Sequence, residues 1–371
     1  MNILSKLTDY EVDALPNLFN FADGHARNAL NIHLLEQIKQ IPTYFSKKFD
    51  QGEIEREFCE MFFRLSRQNY KFTTFLFCPS ASISIEIIAN YLRINGISTS
   101  LIEPTFDNLA DIFKRHLVKV DPLEERLLFK IPLMDWLATV NTEAIFLTIP
   151  NNPTGYIFSQ DDFKSIIEFC AANQKLLILD MSFRLFDREL MVWDQYDMLA
   201  QSGIHYIVIE DTGKVWPSYE LKVSLLASDE ETSQQLQSIY RDIFICHSPV
   251  IIQIVLLFIK DSLQQGLDNT VWNLVEANRN LLRNALTGTF LKPVTISNIS
   301  VEWVQICNGL TDIQLVNELK ARNIFILPGR NFFWNTPSIG SNYIRVALMR
   351  QREIFSLGAI ALRSLLLSLR A

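Results

Sequence analysis

A chain of 371 residues, 49% of them hydrophobic, is long enough for a large buried core and for more than one domain. Its net charge of −7 and its dispersed charges argue against nucleic-acid binding, which requires clustered Lys and Arg to neutralise phosphates. The five cysteines are widely spaced and form no CxxC pair, so neither a disulfide framework nor a zinc site is indicated, and no metal is predicted.

Two features bear on membrane association. The N-terminal residues contain no apolar run of signal-peptide length. The most apolar stretch, 249–259, is interrupted by Gln253 and is far shorter than the ~20 residues that cross a membrane, so a buried helix is predicted. The sequence therefore predicts a cytoplasmic protein with no membrane partner.

The middle of the chain alternates predicted helices with apolar strands. Helices are predicted over 84–93, 108–115 and 160–172. Ser159 and Asp162 have the spacing of a capping box at the start of the last of these. Continuous apolar strands are predicted over 98–102, 144–149, 176–179, 206–209 and 223–227. Such strands between helices indicate an α/β fold with a mostly parallel sheet covered on both faces.

The C-terminal part has a different order of elements. Helical segments run to about residue 287. Beyond them, strands are predicted over 294–306, 324–327 and 342–348, and helices over 311–322 and from Gln351 onward. This α+β order predicts a small domain over 288–371 beside a large α/β domain over 46–287, with the N-terminal segment 1–45 joining the small one.

Polar residues follow the predicted strands at the sheet edge where α/β proteins bind their ligands. Asn152 lies in an NNPTG turn after one strand, Asp180 ends the next strand, and Lys214 follows another. Arg345 lies in a C-terminal strand. Each residue alone is ordinary, and their order along the chain is the informative feature.

This order resembles the aspartate-aminotransferase superfamily, whose members have the PLP-dependent transferase fold type I and use pyridoxal 5′-phosphate (PLP). The resemblance covers most of the chain. It implies that Lys214 attaches PLP and then acts as an acid and base. Asp180 would pair with the pyridine nitrogen, so that the ring can accept electrons. Asn152 would contact the ring 3-oxygen and border the substrate.

The resemblance also assigns the remaining cofactor contacts. Phe106 would stack on the cofactor ring. The phosphate would be held by Ser80, Ala81 and Ser82 at a helix start, where the helix dipole favours an anion. Lys222 would add a positive charge to the phosphate, at a position where the superfamily usually has Arg.

Arg345 would bind the substrate α-carboxylate through its planar guanidinium. The nearby aromatic stretch 331–334 is expected in the core or an interface, or else along the substrate pocket. One cofactor contact departs from the superfamily. Phe183 stands where many members have a Tyr that donates to the ring 3-oxygen, and this departure argues against plain transamination.

Four stretches resemble a narrower group, the PLP-dependent L-arginine oxidases and hydroxylases linked to enduracididine-type biosynthesis. These stretches are 21–27, 104–111, 180–184 and 210–217. Phe183 is shared with that group, and arginine-cyclising enzymes are related to it in chemistry. In that group an N-terminal segment closes over the bound substrate.

The positions that match this closing segment are Thr8, Glu11, Asp23 and His25. Glu11 and Asp211, which also lies beside the cofactor lysine, are the predicted carboxylates for a substrate guanidinium. His25 is the predicted base or proton shuttle. In the alternative interpretation, Thr8 and Glu11 only begin a helix, as N-cap and N3 residues, and His25 makes a structural hydrogen bond.

Two reactions fit these residues. The first is cyclisation of γ-hydroxy-L-arginine to an enduracididine-type ring, with α- and β-proton removal by Lys214 and His25. The second is O2-dependent oxidation or hydroxylation of L-arginine. The cyclase is favoured because the chain differs from the oxidases over much of its length, and an ordinary aminotransferase is the third alternative. A homodimer is expected, because fold type I sites usually complete their contacts across the subunit interface.

Overall fold

The computed structural model describes residues 6–41, 50–69 and 75–369. Its α-helices are α1 (Leu7–Ala14), α2 (Ile32–Lys39), α3 (Gln51–Leu65), α4 (Ala81–Asn95), α5 (Asp107–Arg115), α6 (Leu133–Leu137), α7 (Gln160–Ala172), α8 (Gln195–Ser202), α9 (Glu230–Ile243), α10 (Pro249–Gln265), α11 (Asn273–Leu286), α12 (Asp312–Lys320), α13 (Pro337–Gly340) and α14 (Arg352–Ser368). Its strands are β1 (Phe19–Asn20), β2 (Leu76–Cys78), β3 (Thr99–Glu103), β4 (Val120–Glu124), β5 (Ala144–Thr148), β6 (Leu176–Asp180), β7 (Tyr206–Asp211), β8 (Ser224–Ser228), β9 (Leu291–Pro293), β10 (Val301–Ile306), β11 (Ile324–Phe325), β12 (Leu327–Pro328) and β13 (Tyr343–Ala347).

Within the described residues the larger sheet has seven strands, in the order β2-β8-β7-β6-β5-β3-β4. The strands from β4 to β7 in this order are parallel neighbours. β8 is antiparallel to both β7 and β2. The predicted mostly parallel sheet is confirmed. The reversed direction of β8 follows from its connection to β7, which has no crossover helix of the kind that a parallel pair requires.

Helices cover both faces of this sheet, as predicted. Successive residues of β5 alternate between two apolar clusters, because side chains of a strand point to opposite faces in turn. Ile145 and Leu147 pack in the cluster that includes residues of α3, α7, α8 and α10. Ala144 and Phe146 pack in the cluster that includes residues of α4, α5 and α9. Buried faces on both sides explain why these strands are continuously apolar.

The predicted buried helix is α10. Ile252, Val255, Leu256 and Ile259 on this helix are fully buried, so its apolar character is explained by its position in the core. Among the described residues no single helix is long and apolar enough to cross a membrane, although α10 and the segment Asp268–Leu286 together pass such a test as a pair bent by 110°. The capping box of α7 is also confirmed, because Ser159 accepts a hydrogen bond from the Asp162 amide at 3.1 Å.

Two strands of the larger sheet were not predicted. β4 lies at one edge of the sheet and has the sequence VDPLE, whose proline and charges interrupt an apolar pattern. Proline is tolerated at a sheet edge because its missing N–H has no neighbouring strand to bond. β2 lies at the other edge and has only three residues.

The smaller sheet is antiparallel and has the order β12-β13-β10-β9 within the described residues. A separate parallel pair joins β1 to β11. The amide of Ala347, in β13, also donates to the carbonyl of Phe21 at 2.8 Å. The N-terminal segment is therefore attached to the C-terminal part of the chain, while the predicted domain boundaries at residues 45 and 287 stay predictions.

Two predicted C-terminal strands were wrong in extent. The strand predicted over 294–306 begins only at Val301, as β10, because residues 294–300 form a loop that meets the NNPTG turn, and β9 lies before the predicted range. The amide of Ile296 donates to the carbonyl of Thr154 at 2.9 Å. The strand predicted over 324–327 divides into β11 and β12, which belong to different sheets.

Candidate active site

A cavity of about 360 Å³ lies where β5, β6 and β7 end and α4 begins. Helix α1 borders it on the opposite side. Residues 20–27, which we call the N-terminal strap, border it there as well. The predicted residues that line it are Thr8, Glu11, Asp23, His25, Ser80, Ala81, Ser82, Phe106, Asn152, Asp180, Phe183, Asp211, Lys214 and Lys222. Arg345 is buried directly behind the lining and contacts Glu11 and Asn152. The structure therefore brings together every residue that the sequence placed in the site.

Asp180 ends β6 and is buried in the cavity wall. Its Oδ1 accepts two hydrogen bonds from Ser182, one from the hydroxyl at 2.5 Å and one from the amide at 3.0 Å. Burial raises the pKa of Asp180, and the two Ser182 hydrogen bonds oppose that effect. A cationic partner for this carboxylate would compensate its desolvation. Phe183 beside it is buried and offers no hydroxyl.

Lys214 is positioned by the turn that follows β7. The Asp211 carboxylate accepts from the Gly213 amide at 2.9 Å, and the Thr212 hydroxyl accepts from the Val223 amide at the same distance. These bonds fix the short 3₁₀ turn Thr212–Lys214. Among the described residues, no hydrogen bond or ion pair engages the Lys214 amino group, which lines the cavity. An unengaged amine at this place is suited to attack a carbonyl carbon.

The start of α4 forms an anion-binding end of the cavity. Ser80 is the N-cap of this 15-residue helix, and its hydroxyl accepts from the Ile83 amide at 3.4 Å. Ser84, one turn into α4, shares a 2.9 Å hydrogen bond with Ser224, which begins β8. Lys222 precedes Ser224 by two residues and lines the same cavity. A helix N-terminus with a nearby ammonium group favours a phosphate.

The N-terminal strap holds a chain of charged and polar groups. His25 donates through Nδ1 to Asp23 Oδ1 at 2.6 Å, and Lys222 donates to His25 Nε2 at 2.7 Å. The other Asp23 oxygen accepts from Arg27 Nε at 2.5 Å. Burial alone raises the pKa of Asp23, but the His25 hydrogen bond and the charges of Arg350 and Arg27 outweigh it and hold that pKa below its usual range.

Arg350 positions the strap and was not identified from the sequence. Its buried guanidinium donates to the backbone carbonyls of Asn20 at 2.5 Å, of Asp23, and of His25 at 2.9 Å. The amide of Arg27 also donates to the carbonyl of Met349 at 2.9 Å. The strap has little regular structure of its own, so these bonds determine where the His25 ring lies. A lone Arg after a predicted strand gave no signal of this role.

Arg345 is buried between two aromatic rings. Its guanidinium carbon lies 5.6 Å from the centroid of Phe106 and 5.4 Å from that of Phe332. It donates to the Ala22 carbonyl at 2.7 Å and to the Asn152 side-chain oxygen at 3.3 Å, and burial lowers its pKa. Its Nε is buried and has no partner among the described residues. The guanidinium is therefore fixed in place with unused donor capacity.

Glu11 contacts the protein's own guanidinium. Its Oε1 lies 3.1 Å from Arg345 Nη2 and also accepts from the Gly24 amide at 3.2 Å. Glu11, which was predicted to bind a substrate guanidinium, is thus paired with Arg345, which was predicted to bind the substrate α-carboxylate. The alternative interpretation of Thr8 as N-cap and Glu11 as N3 is wrong in register, because α1 begins two residues earlier, at Leu7, with Lys6 at the N-cap.

Helix α1 is docked over the cavity by three polar contacts. The Leu7 amide donates to Asp107 at 2.9 Å, and Lys6 pairs with Asp111 at 2.6 Å. Lys320 pairs with Asp13 at 2.7 Å near the other end of the helix. Burial raises the pKa of Asp107 to about 6. These contacts hold Thr8 and Glu11 against the cavity.

Two further buried groups support the site and were missed as individual residues. Arg184 donates to Glu210 through Nε at 2.9 Å, and Tyr196 donates to the same oxygen at 3.2 Å. Arg184 follows Asp180 on the β6 loop, and Glu210 directly precedes Asp211 on β7. This pair therefore joins the two strand ends that carry the site carboxylates.

Glu125 supports the NNPTG turn. It is fully buried, and its Oε2 accepts from Asn151 Nδ2 at 2.5 Å and from the Thr154 hydroxyl at 2.9 Å. Burial raises its pKa to about 7, although both hydrogen bonds oppose the rise. An ERLLF sequence is equally typical of an exposed turn, so the sequence did not indicate this buried carboxyl.

Replacing this carboxyl by an amide is expected to change how stability depends on pH. A pKa of about 7 in the fold exceeds the ~4.3 of an unfolded Glu, so the carboxyl stabilises the fold at low pH and loses this contribution as the pH rises to 7. Glu125→Gln keeps the acceptor oxygen without the titration. The variant should gain about 3 kcal/mol relative to wild type between pH 4.5 and 7. Urea unfolding at several pH values measures this, and a constant difference would contradict it.

The residues that line this cavity fit PLP. Asp180 is a buried carboxyl whose raised pKa calls for a cationic partner such as a pyridinium nitrogen. The α4 N-terminus and Lys222 supply positive potential at the other end of the cavity. Lys214 lines the same cavity. PLP, when bound there, supplies an electron sink for a substrate carbanion.

A family model for class I and II aminotransferases matches residues 45–355. The chain belongs to this family. It is 33% identical to MppP over 93% of this chain and 98% of that chain, with a TM-score of 0.85; that structure is of MppP soaked with the product 2-ketoarginine. Aspartate aminotransferase from Thermus thermophilus has a TM-score of 0.82 over 98% of this chain and 97% of that one, at 13% identity, which shows similarity of fold alone.

One curated relative matches a shorter part of the chain. Histidinol-phosphate aminotransferase of Methanococcus maripaludis is 32% identical over 111 residues, which are 28% of this chain and 29% of that protein. The fold type I architecture and the PLP cofactor predicted from the sequence are confirmed by family membership. The protein is a PLP-dependent enzyme of the aminotransferase superfamily.

Proposed function

We propose that this enzyme acts on a guanidino amino acid of the arginine type. The supporting observation is the charge arrangement of one cavity. Buried Arg345, with a free Nε donor, lies behind a wall that also carries the carboxylates of Glu11 and Asp211. Such a cavity complements an α-carboxylate at one point and a cationic side chain at others. The similarity to MppP, with its product 2-ketoarginine, supports the same substrate class.

Each residue then has its own role in the proposed reaction. Lys214 attaches the cofactor and afterwards removes the Cα proton of the substrate. Asp180 would stabilise positive charge at the pyridine nitrogen of PLP, and Asn152 would contact the ring 3-oxygen. Asp211 keeps one carboxylate oxygen for the substrate, since its Oδ1 bonds the Gly213 amide.

Two outcomes follow Cα deprotonation. The similarity to MppP, whose product is 2-ketoarginine, supports oxidation to a 2-oxo acid. O2 would accept two electrons and two protons to give H2O2, and water would release the amino group as ammonia. A second candidate is cyclisation of γ-hydroxy-L-arginine to an enduracididine-type ring. It is favoured by the second base in the cavity, because loss of a γ-hydroxyl requires β-proton removal as well, and His25 lines the wall with Lys214.

One set of incubations separates these outcomes. The PLP-loaded enzyme is given L-arginine or γ-hydroxy-L-arginine, with and without O2, and with pyruvate as an amino acceptor. Oxygen uptake with 2-ketoarginine formation supports the oxidase. A cyclic product formed without O2 supports the cyclase, and pyruvate-dependent alanine formation supports transamination. No reaction with either guanidino substrate overturns the proposal.

Glu11 has two possible partners, and its substitution distinguishes them. We expect that Glu11 leaves Arg345 when a substrate α-carboxylate arrives and then faces the substrate guanidinium. Glu11→Gln should therefore raise KM about tenfold for arginine and leave that for citrulline, which has a neutral side chain, nearly unchanged. Steady-state kinetics with both amino acids measures this. Equal effects on the two would mean that Glu11 only covers Arg345.

A homodimer remains part of the proposal, as the sequence predicted. Sedimentation equilibrium of the PLP-loaded protein tests it directly. A monomer at micromolar concentration with full activity would contradict it.

A further inference from the structure

The contact between Lys222 and His25 determines the protonation of the imidazole. An ammonium group can only donate hydrogen bonds, so His25 Nε2, 2.7 Å from Lys222 Nζ, must be the acceptor. Nδ1 lies 2.6 Å from a carboxylate oxygen of Asp23 and must be the donor. The ring is therefore neutral, with its proton on Nδ1 and its lone pair at Nε2 bonded to Lys222.

This contact is built into the backbone on both sides. A side chain at Gly213 would place its Cβ 2.7 Å from Lys222 Cδ and 3.1 Å from His25 Cδ2, so the two side chains meet over a position where a Cβ would displace them. The Ala26 amide donates to the Gly213 carbonyl at 3.2 Å, which ties the strap to the cofactor-lysine turn. Arg350 also anchors the strap by donating a hydrogen bond to the His25 carbonyl. Both side chains are largely buried, at 16% and 12% exposure.

The charged groups around the imidazole favour two states of the ring. Asp23 and Lys222 face it directly, and Arg27 and Arg350 bond the Asp23 carboxylate and the strap carbonyls behind it. With the Lys222 ammonium in place, a proton on His25 Nε2 would point at another hydrogen-bond donor, which is unfavourable. Without the ammonium, the Nε2 lone pair is free to accept a proton from the substrate, and Asp23 at Nδ1 can share the charge that results.

Lys222 also lines the same cavity as the predicted phosphate position at the start of α4. It is two residues from Ser224, whose hydroxyl bonds Ser84 in the first turn of α4. An anion at that helix start would attract the ammonium away from the imidazole. Glu220, at 3.6 Å from Lys222 Nζ, is 71% exposed and therefore competes weakly.

We propose that Lys222 is a positioning residue for His25 as well as a phosphate cation: it holds the ring as the Nδ1–H tautomer, and phosphate binding releases the Nε2 lone pair for proton transfer. This proposal rests on the proposed function in taking His25 as a base of that reaction. A proton from substrate carbon then arrives at Nε2, and the resulting positive charge is shared with Asp23 through Nδ1–H. Cofactor loading and the availability of the second base are thereby coupled.

The test uses the full chain, free of PLP, with ¹⁵N-labelled histidine. Ring nitrogen shifts report which nitrogens carry protons, and His25→Asn assigns the signal. Wild type should show a protonated Nδ1 and an unprotonated Nε2 whose signal is displaced by its hydrogen bond from Lys222, and Lys222→Met should move the Nε2 signal to the position of a lone pair without that donor. Adding PLP or inorganic phosphate should move the wild-type signal in the same direction, while pyridoxal, which lacks the phosphate, should not.

Two variants control for structural effects. Lys222→Arg retains a cationic donor and should restore the wild-type pattern. Lys175→Met removes a partly buried lysine outside the cavity and should leave the His25 signal unchanged. Circular dichroism shows whether Lys222→Met folds. If it does not, the His25 signals of wild type with added phosphate and of Lys222→Arg still test the proposal.

Three results would overturn the proposal. These are a proton on Nε2 in the PLP-free wild type, an unchanged His25 signal in folded Lys222→Met, and no movement of that signal while PLP binding is visible by absorbance. Because no amino acid is present, inactivity toward arginine would overturn only the proposed function. An unaltered His25 signal in an enzyme that turns over arginine would overturn only the coupling.

Discussion

Lys214→Ala is expected to lower turnover of the guanidino substrate by roughly 10⁴-fold or more while PLP still binds. The lysine provides both the covalent attachment and the base for the Cα proton, and loss of a positioned base alone lowers rates by about 10²–10⁴-fold. The Asp180 carboxylate and the α4 N-terminus remain, so the cofactor keeps its noncovalent contacts.

Absorbance and gel filtration measure the two parts of this prediction. Wild type should retain a visible absorbance band from covalently attached PLP, and the variant should lack that band and release PLP on gel filtration. Lys175→Ala, which changes a lysine outside the cavity, is the matched control and should keep both the band and the activity. A Lys214→Ala enzyme with more than about a hundredth of wild-type turnover would refute the assigned role.

Sequence reasoning succeeded where local pattern and sheet geometry determine position together. Asn152, Asp180 and Lys214 each follow a continuously apolar stretch, and buried parallel strands end at one edge of a sheet. Their meeting in one cavity therefore follows from the alternation of strands and helices alone. The resemblance to known enzymes then supplied the roles, which the pattern by itself does not contain.

Pairing between distant charges could not be read from the sequence. Glu11 and Arg345 were assigned to opposite ends of a substrate, yet they contact each other across most of the chain. Arg350 and Glu125 hold the strap and the NNPTG turn through backbone and amide groups, which no residue pattern specifies. Such contacts depend on the three-dimensional position of loops, and loops carry little periodicity.

Strand direction was a second limit. An apolar stretch such as the one in β8 reads the same in both directions, and only its short connection to β7 makes it antiparallel. This reversal has a consequence for the site. It brings Lys222, which precedes β8, back to the edge where β7 ends, and there it meets His25.

Arg345 carries the second large expected effect. Its guanidinium is held between Phe106 and Phe332, so its orientation is set before any substrate arrives. Arg345→Lys replaces a planar fork by a point charge and should lower kcat/KM for arginine by about 10²-fold. Arg345→Met should lower it further and also destabilise the fold, because Glu11 and the Ala22 carbonyl lose a buried donor.

Agmatine, which is arginine without its α-carboxylate, isolates the carboxylate contact from these effects. Wild type should bind arginine far more tightly than agmatine in competition experiments, and Arg345→Met should remove most of that preference. Arg279→Lys is the control, since Arg279 is also buried but pairs with Glu302 away from the cavity. It should lower stability and leave the preference intact.

The double variant Glu11→Gln with Arg345→Met completes the argument. If Glu11 is destabilised in Arg345→Met because it lacks its partner, neutralising it should recover much of the lost stability, and the two substitutions should not be additive. If the double variant recovers stability but not the preference for arginine over agmatine, Arg345 binds the substrate α-carboxylate. An unchanged preference for arginine over agmatine in both variants would place it elsewhere, and Arg345 would then only anchor helix α1 over the cavity.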